Sequence, residues 1–116
     1  MNDELKIQVG GDLKGDLDAF VAAWKRGEAG DERPERILAF ESWEALSSVL
    51  TGERYRLLRH VHSHPARSVN ALANTLKRQY RRVHDDVTIL ERAGLLDRSH
   101  GDVRTTVDRL SAEVVL

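Results

Sequence analysis

The sequence predicts an α+β fold. Three observations predict it: an alternating apolar run near the N-terminus, a series of short amphipathic helical segments through the middle, and two β-prone runs joined by a turn-forming cluster near the C-terminus. With 116 residues, 41% of them hydrophobic, the chain is long enough for one folding unit with a modest core. The order of elements divides it into a strand-helix-strand segment over residues 1–41, expected to serve dimerisation, and a second segment over 42–116.

In Glu4 to Val9, Leu5, Ile7 and Val9 alternate with polar residues, the period of a half-buried strand, and Gly10-Gly11 ends it. Leu13, Leu17, Phe20, Val21 and Trp24 then recur at three and four, predicting an amphipathic helix that Asp16 can cap. Arg26 to Pro34 is charged and glycine-bearing, and reads as an exposed connection. Glu35 to Phe40 reads as a second short strand. Ser42 opens a helix with Trp43, Leu46, Val49 and Leu50 on its inward side, and Thr51-Gly52 stops it.

From Glu53 to Ser63, Tyr55, Leu57, Leu58 and Val61 form a helical stripe ended by His64-Pro65. Ser68 can cap the next helix, in which Val69, Leu72, Ala73 and Leu76 face inward. A third helix, about Gln79 to Arg92, carries Val83, Val87 and Leu90 at spacings of four and three, with Ala93-Gly94 as its stop. Leu95 to Ser99 and Val103 to Val107, joined by His100-Gly101-Asp102, make a hairpin. This is the order of a winged helix-turn-helix domain, and the hairpin would be its wing. The tail AEVVL is a last strand candidate whose edge needs a partner, either the first strand or a second subunit.

Charge supports a polyanion partner for one half. Residues 1–50 hold 6 Lys/Arg against 11 Asp/Glu, a net of -5, whereas residues 51–116 hold 12 against 8, a net of +4, and all five histidines. The chain has no cysteine, which excludes disulfides and thiolate metal sites and suits a reducing cytoplasm. No secretory signal pattern opens it, and no apolar run approaches the roughly 20 residues of a membrane span.

On the third helix, turning about 100° per residue from a buried Val83 puts Arg81, Asp85 and Thr88 opposite the core, flanked by Arg78, Arg82 and His84. Arginine donates two bonds to a guanine edge, so Arg81 is the expected base reader. His84 and Thr88 offer single bonds, and Asp85 can accept from cytosine. Lys77, Arg78 and Arg82, with Gln79, lie at the turn and helix start, where cations and backbone amides meet phosphates. Arg98, His100 and Arg104 on the wing, and Arg67 with Ser68 before the second helix, complete the expected DNA contacts. Tyr80 sits about 60° from the core direction, expected partly buried along the helix edge or on a phosphate.

Plainer readings stand beside these. The run KRQYRR is also what a solvated helix face looks like, its arginines paired with Asp85, Asp86 or Glu91. His60, His62 and His64 read as surface histidines more readily than as ligands, and no metal or cofactor is expected. Trp24 and Trp43 are expected in the core or a dimer interface. With no glycine-rich phosphate loop, cysteine nucleophile, serine elbow or paired carboxylates, the sequence does not predict an enzyme.

The segments FESWEAL, LTGERYRLLRHVHSHPARSVNALANTL, YRRVHDDVTILERAGLL and AEV, together with LKIQVGG and DLDAFVAAW ahead of them, resemble a family of small prokaryotic DNA-binding regulators with a MarR-like winged helix-turn-helix. Val83, His84, Asp86, Leu90, Glu91, Gly94 and Leu95 match the family's third-helix pattern. The family usually has a basic residue where Asp85 stands and a lysine-asparagine pair near Arg81 and Arg82. The resemblance implies a transcriptional regulator, often the antitoxin of a two-gene module that neutralises a small toxin and represses its own operon. The expectation is therefore a homodimer placing two third helices in successive major grooves of a pseudo-palindrome, about 34–36 Å apart. The competing expectation is a protein-interaction module, in which the winged helix is a scaffold and a toxin or other protein is the partner.

Overall fold

The computed structural model describes residues 4–10 and 36–116. The expected helix over Leu13–Trp24, its Asp16 cap, the connection Arg26–Pro34 and the inward place of Trp24 lie outside the described residues. The elements are β1 (Glu4–Val9), β2 (Arg36–Phe40), α1 (Trp43–Val49), α2 (Gly52–Ser63), α3 (Val69–Leu76), α4 (Tyr80–Arg92), β3 (Leu96–Asp97), β4 (Arg104–Thr105) and β5 (Arg109–Val114). The α+β class holds, and among the described residues no helix is long and apolar enough to cross a membrane.

The chain forms two compact units, residues 1–46 with 109–116, and residues 47–108. The expected boundary at 41/42 thus moves into α1, and the C-terminal strand leaves the second segment for the first. In the first unit the strand order is β2-β1-β5, parallel throughout. Leu5, Ile7 and Val9 are buried on one face of β1, as their alternation requires. Beside them stand Leu38 and Phe40 of β2 and Leu110, Ala112 and Val114 of β5. The tail strand begins at Arg109, three residues before the expected AEVVL, and finds its partner in β1. Gly10, at φ +76°, follows β1 where a Cβ would stand 2.8 Å from the Val115 carbonyl oxygen, so both the backbone angle and the space require glycine.

α1 is capped as expected, the Ser42 hydroxyl accepting from Ala45 N–H at 3.1 Å. Leu46 is its buried residue, but Trp43 is 58% exposed, contrary to its expected inward place. At the very start of a seven-residue helix, it lies outside the turn that Leu46 buries.

In the second unit, Thr51 does more than stop α1: its extended backbone and hydroxyl cap α2, accepting from Arg54 N–H at 3.2 Å. Leu57, Leu58 and Val61 of α2, Val69, Leu72 and Ala73 of α3, and Val83, Val87 and Leu90 of α4 form the core with Leu95, Leu96, Val103 and Val107. Tyr55, expected on the stripe, is 45% exposed under the Arg59 guanidinium. Its inward neighbour Arg54 takes the place the stripe reserved, because a buried carboxylate awaits it there.

β3 and β4 pair antiparallel over two residues each, shorter than the expected five-residue runs. A bridge that periodicity did not predict adds to them: Ala66 and Val103 exchange both backbone bonds, at 3.0 and 2.8 Å. This pins the α2–α3 connection to the hairpin.

Candidate nucleic-acid interface

α3 and α4 are joined by three residues, Lys77, Arg78 and Gln79. α3 ends with Lys77 N–H bonded to Asn74 C=O at 3.2 Å and Arg78 N–H to Ala73 C=O at 3.1 Å, the paired closure of a Schellman motif. That motif needs a left-handed residue, and Lys77 supplies it at φ 56°, alone among the described non-glycine residues in having positive φ. α4 closes by the same pair of bonds, Gly94 to Glu91 and Leu95 to Leu90, with the usual glycine at φ +85°. A lysine therefore stands where the backbone favours glycine, with an exposed side chain that has no ion-pair partner among the described residues.

The start of α4 is open. Gln79 precedes it in extended conformation and makes no side-chain cap bond, and its first turn holds no acidic residue. The leading amides of a helix lack internal partners and carry the positive end of its dipole, an environment that favours anions. Arg81 and Arg82 are nonetheless in this first turn, exposed and without ion-pair partners among the described residues. Carboxylates would neutralise the position; these arginines add to its charge.

Asp85 is exposed next to these arginines, 4.0 Å from His84 Nδ1. His84 and Thr88 are half-buried, the Thr88 hydroxyl donating to His84 C=O at 2.9 Å. Tyr80 is 51% exposed, its ring lying 5.8 Å from that of His84 one turn along the helix. Ser68 is occupied as a cap, its hydroxyl accepting from Ala71 N–H at 3.0 Å. Ser68, Val69, Asn70, Tyr80, His84, Arg98 and Gly101 line one open groove of about 450 Å³. The starts of α3 and α4 and the hairpin turn thus share a concavity, with Arg67 exposed beside Ser68.

Three of the expected cationic contacts are engaged within the chain. Arg78 is half-buried and donates to Asp86 Oδ2 at 2.7 Å and to Glu53 at 3.2 Å. Arg98 donates through Nε and a terminal nitrogen to Glu91 Oε1, at 3.2 and 2.8 Å, and Arg104 to Asp102 at 2.7 Å. The Arg98 guanidinium holds the Glu91 carboxyl below the usual range. At the turn, Ser99 N–H and its hydroxyl both donate to Asp97, lowering that carboxyl too and fixing the loop that carries the exposed His100.

The organising residue is Asp86, 8% exposed. Oδ1 accepts from Arg54 Nε at 3.0 Å and Oδ2 from Arg78. Arg54 also donates to the Ser48 and Val49 carbonyls, at 2.8 and 2.9 Å, so one carboxylate links the end of α1, the start of α2, the α3–α4 turn and α4. Periodicity missed Arg54 and gave Asp86 only as one possible arginine partner. The available signal was a carboxylate on the inward stripe between Val83 and Leu90, which demands buried cations.

His60 and His64 stack at 5.2 Å, and His62 bonds to Asp108 at 3.0 Å. Among the described residues no three His, Asp or Glu side chains are grouped so as to hold a metal ion.

The geometry defines an α+β protein whose second unit presents an uncapped, arginine-bearing helix start beside a groove. The family model HVO_A0114 matches residues 49–112, more than half of the sequence, and the chain belongs to that family. No curated protein and no solved structure matches it.

Proposed function

We propose that the chain is a sequence-specific double-stranded DNA-binding regulator of MarR-like winged helix-turn-helix type, a cytoplasmic homodimer that represses its own promoter. α4 enters the major groove with Arg81 reading a guanine edge, and Arg82, Lys77, Arg67 and the open amides of α4 hold phosphates. The β3–β4 hairpin is the wing, and His100 at its turn reaches the adjacent backbone or minor groove. The observation that carries this reading is the pair Arg81 and Arg82 at the open start of α4, exposed and with no ion-pair partner among the described residues. The concavity beside them lies between the helix start and the hairpin, where a duplex backbone would run.

The test is a fluorescence-anisotropy titration against the chain's own upstream DNA and a scrambled duplex at two salt concentrations, repeated with Arg81→Ala. Preference for the upstream duplex, weakened by salt and relaxed in the variant, is expected. Absence of binding to either duplex at low salt would reject it. The exposed Trp43 favours a second reading, an antitoxin or interaction module whose partner is a toxin or other protein. That outcome would be indicated by quenching of Trp43 on adding the partner, with no DNA complex.

A further inference from the structure

β5 has one edge on β1 and, among the described residues, no strand on the other. Such an edge is normally blunted by proline, a bulge or charged side chains; Arg109–Val114 has no proline or bulge, and its two charged residues, Arg109 and Glu113, are of opposite sign. Val115 N–H reaches Val9 C=O at 2.9 Å, which sets the phase of the strand: odd-numbered residues turn their peptide groups to β1, and Leu110, Ala112 and Val114 turn theirs outward. We propose that a second copy of this chain covers this edge, β5 pairing antiparallel with β5 about a two-fold axis at Ser111.

Backbone phase and charge select that register independently. An antiparallel pair must match outward groups with outward groups, so the axis passes at a residue and not between two. With the axis at Ser111, Leu110 and Ala112 of one copy exchange backbone bonds with Ala112 and Leu110 of the other. Arg109 then faces Glu113 of the second copy, twice by symmetry, in the non-hydrogen-bonded positions where side chains come closest. Moving the axis to Leu110 or Ala112 sets Arg109 against Ser111 or Val115 and loses both pairs. Within one copy Glu4 already lies 3.9 Å from Arg109 and Lys6 3.3 Å from Glu113, so the pairing completes a line of alternating charge across both sheets. The other edge strand, β2, has no such self-complement: an antiparallel pair about Leu38 sets Arg36 against Phe40.

This deepens the homodimer part of the proposed function and is tested without DNA, so either can fail alone. The chain has no cysteine, and Ser111 is exposed. A non-hydrogen-bonded pair on the axis has Cα atoms about 4.5 Å apart, within disulfide range. Ser111→Cys should therefore give a covalent dimer under mild oxidation, while Ala39→Cys on β2 should not. By analytical ultracentrifugation the wild type should be a dimer, Arg109→Glu should weaken it on the order of tenfold by setting like charges opposite, and Arg109→Glu with Glu113→Arg should recover most of that loss. The double variant breaks both contacts within the copy, to Glu4 and Lys6, so recovery can come only from across the axis. A monomeric wild type, equal cross-linking at position 39, or no recovery in the double variant would overturn the interface.

Discussion

At the scale of single residues, the second unit separates cations that build from cations that are free to bind. Arg54 and Arg78 share the carboxylate of Asp86, which is almost fully buried. Removing it leaves Arg54 with only the Ser48 and Val49 carbonyls and Arg78 with only the exposed Glu53, so Asp86→Ala should destabilise the fold by about 2–3 kcal/mol. Urea unfolding reads this directly; a midpoint within error of wild type would show that the pairing contributes nothing. Arg81, Arg82 and Lys77 have no such role, and their removal should leave stability nearly unchanged. Lys77 goes further, because its left-handed backbone costs energy that glycine avoids. Lys77→Gly should raise stability by about 0.5–1 kcal/mol and weaken DNA binding, a stability gain with a functional loss that thermal melting and anisotropy measure on one sample. The sequence made Val83, Val87 and Leu90 plain, since apolar spacing reports burial. It could not make Arg54 plain, since a buried arginine looks like a surface one until its carboxylate is located in space.

At the scale of elements, the four described helices were legible because each carries a stripe and three have polar caps, Ser42, Thr51 and Ser68. The hairpin was legible in place and not in extent. Its two-residue ladder is shorter than its β-prone runs, and its third contributor, Ala66, is an isolated residue between Pro65 and Arg67 with no period to betray it. An ion pair adds to these backbone bonds. Glu91 receives Arg98 across its base, and its carboxyl is held below the usual range chiefly by that hydrogen bond. A depressed carboxyl contributes stability above its unfolded pKa and loses it as pH falls through the folded one. Glu91→Gln should accordingly lower the melting temperature at neutral pH, and the gap from wild type should close below about pH 4. Both side chains are partly exposed, so the effect should stay under about 1 kcal/mol. Asp97, lowered by the Ser99 amide, titrates in the same direction. The protection factor of the Ser99 amide should then fall on acidification, and an unchanged protection factor would show that the turn is held by its backbone alone.

At the scale of the whole molecule, the sequence revealed a tail strand and its candidate partners but not the parallel order β2-β1-β5, because pairing between the first and last strands leaves no local mark. That pairing returns β5 to the first unit and leaves the second unit with the cationic surface. Among its exposed cations with no ion-pair partner among the described residues, Arg67, Lys77 and Arg82 are the proposed phosphate contacts and Arg81 the proposed base reader. Each phosphate neutralised releases counterions, so the logarithm of the binding constant should fall against the logarithm of salt concentration with a slope of about -0.9 per contact. One copy engaging three phosphates through Arg67, Lys77 and Arg82 predicts a slope of about -2.7, and two copies on a two-fold operator about -5.4. Arg82→Ala, a phosphate contact in the proposed mode, should reduce the slope by about 2 in the dimer and about 1 in a single copy, with little change in sequence preference. Arg81→Ala should instead relax preference at one base pair in each half-site. The slope is thus a count of copies at the DNA that needs no structure of the complex. A value near -5.4, falling by about 2 in Arg82→Ala, requires two of these surfaces on one operator, whereas a value near -2.7 with a change of about 1 would mean that each copy binds alone.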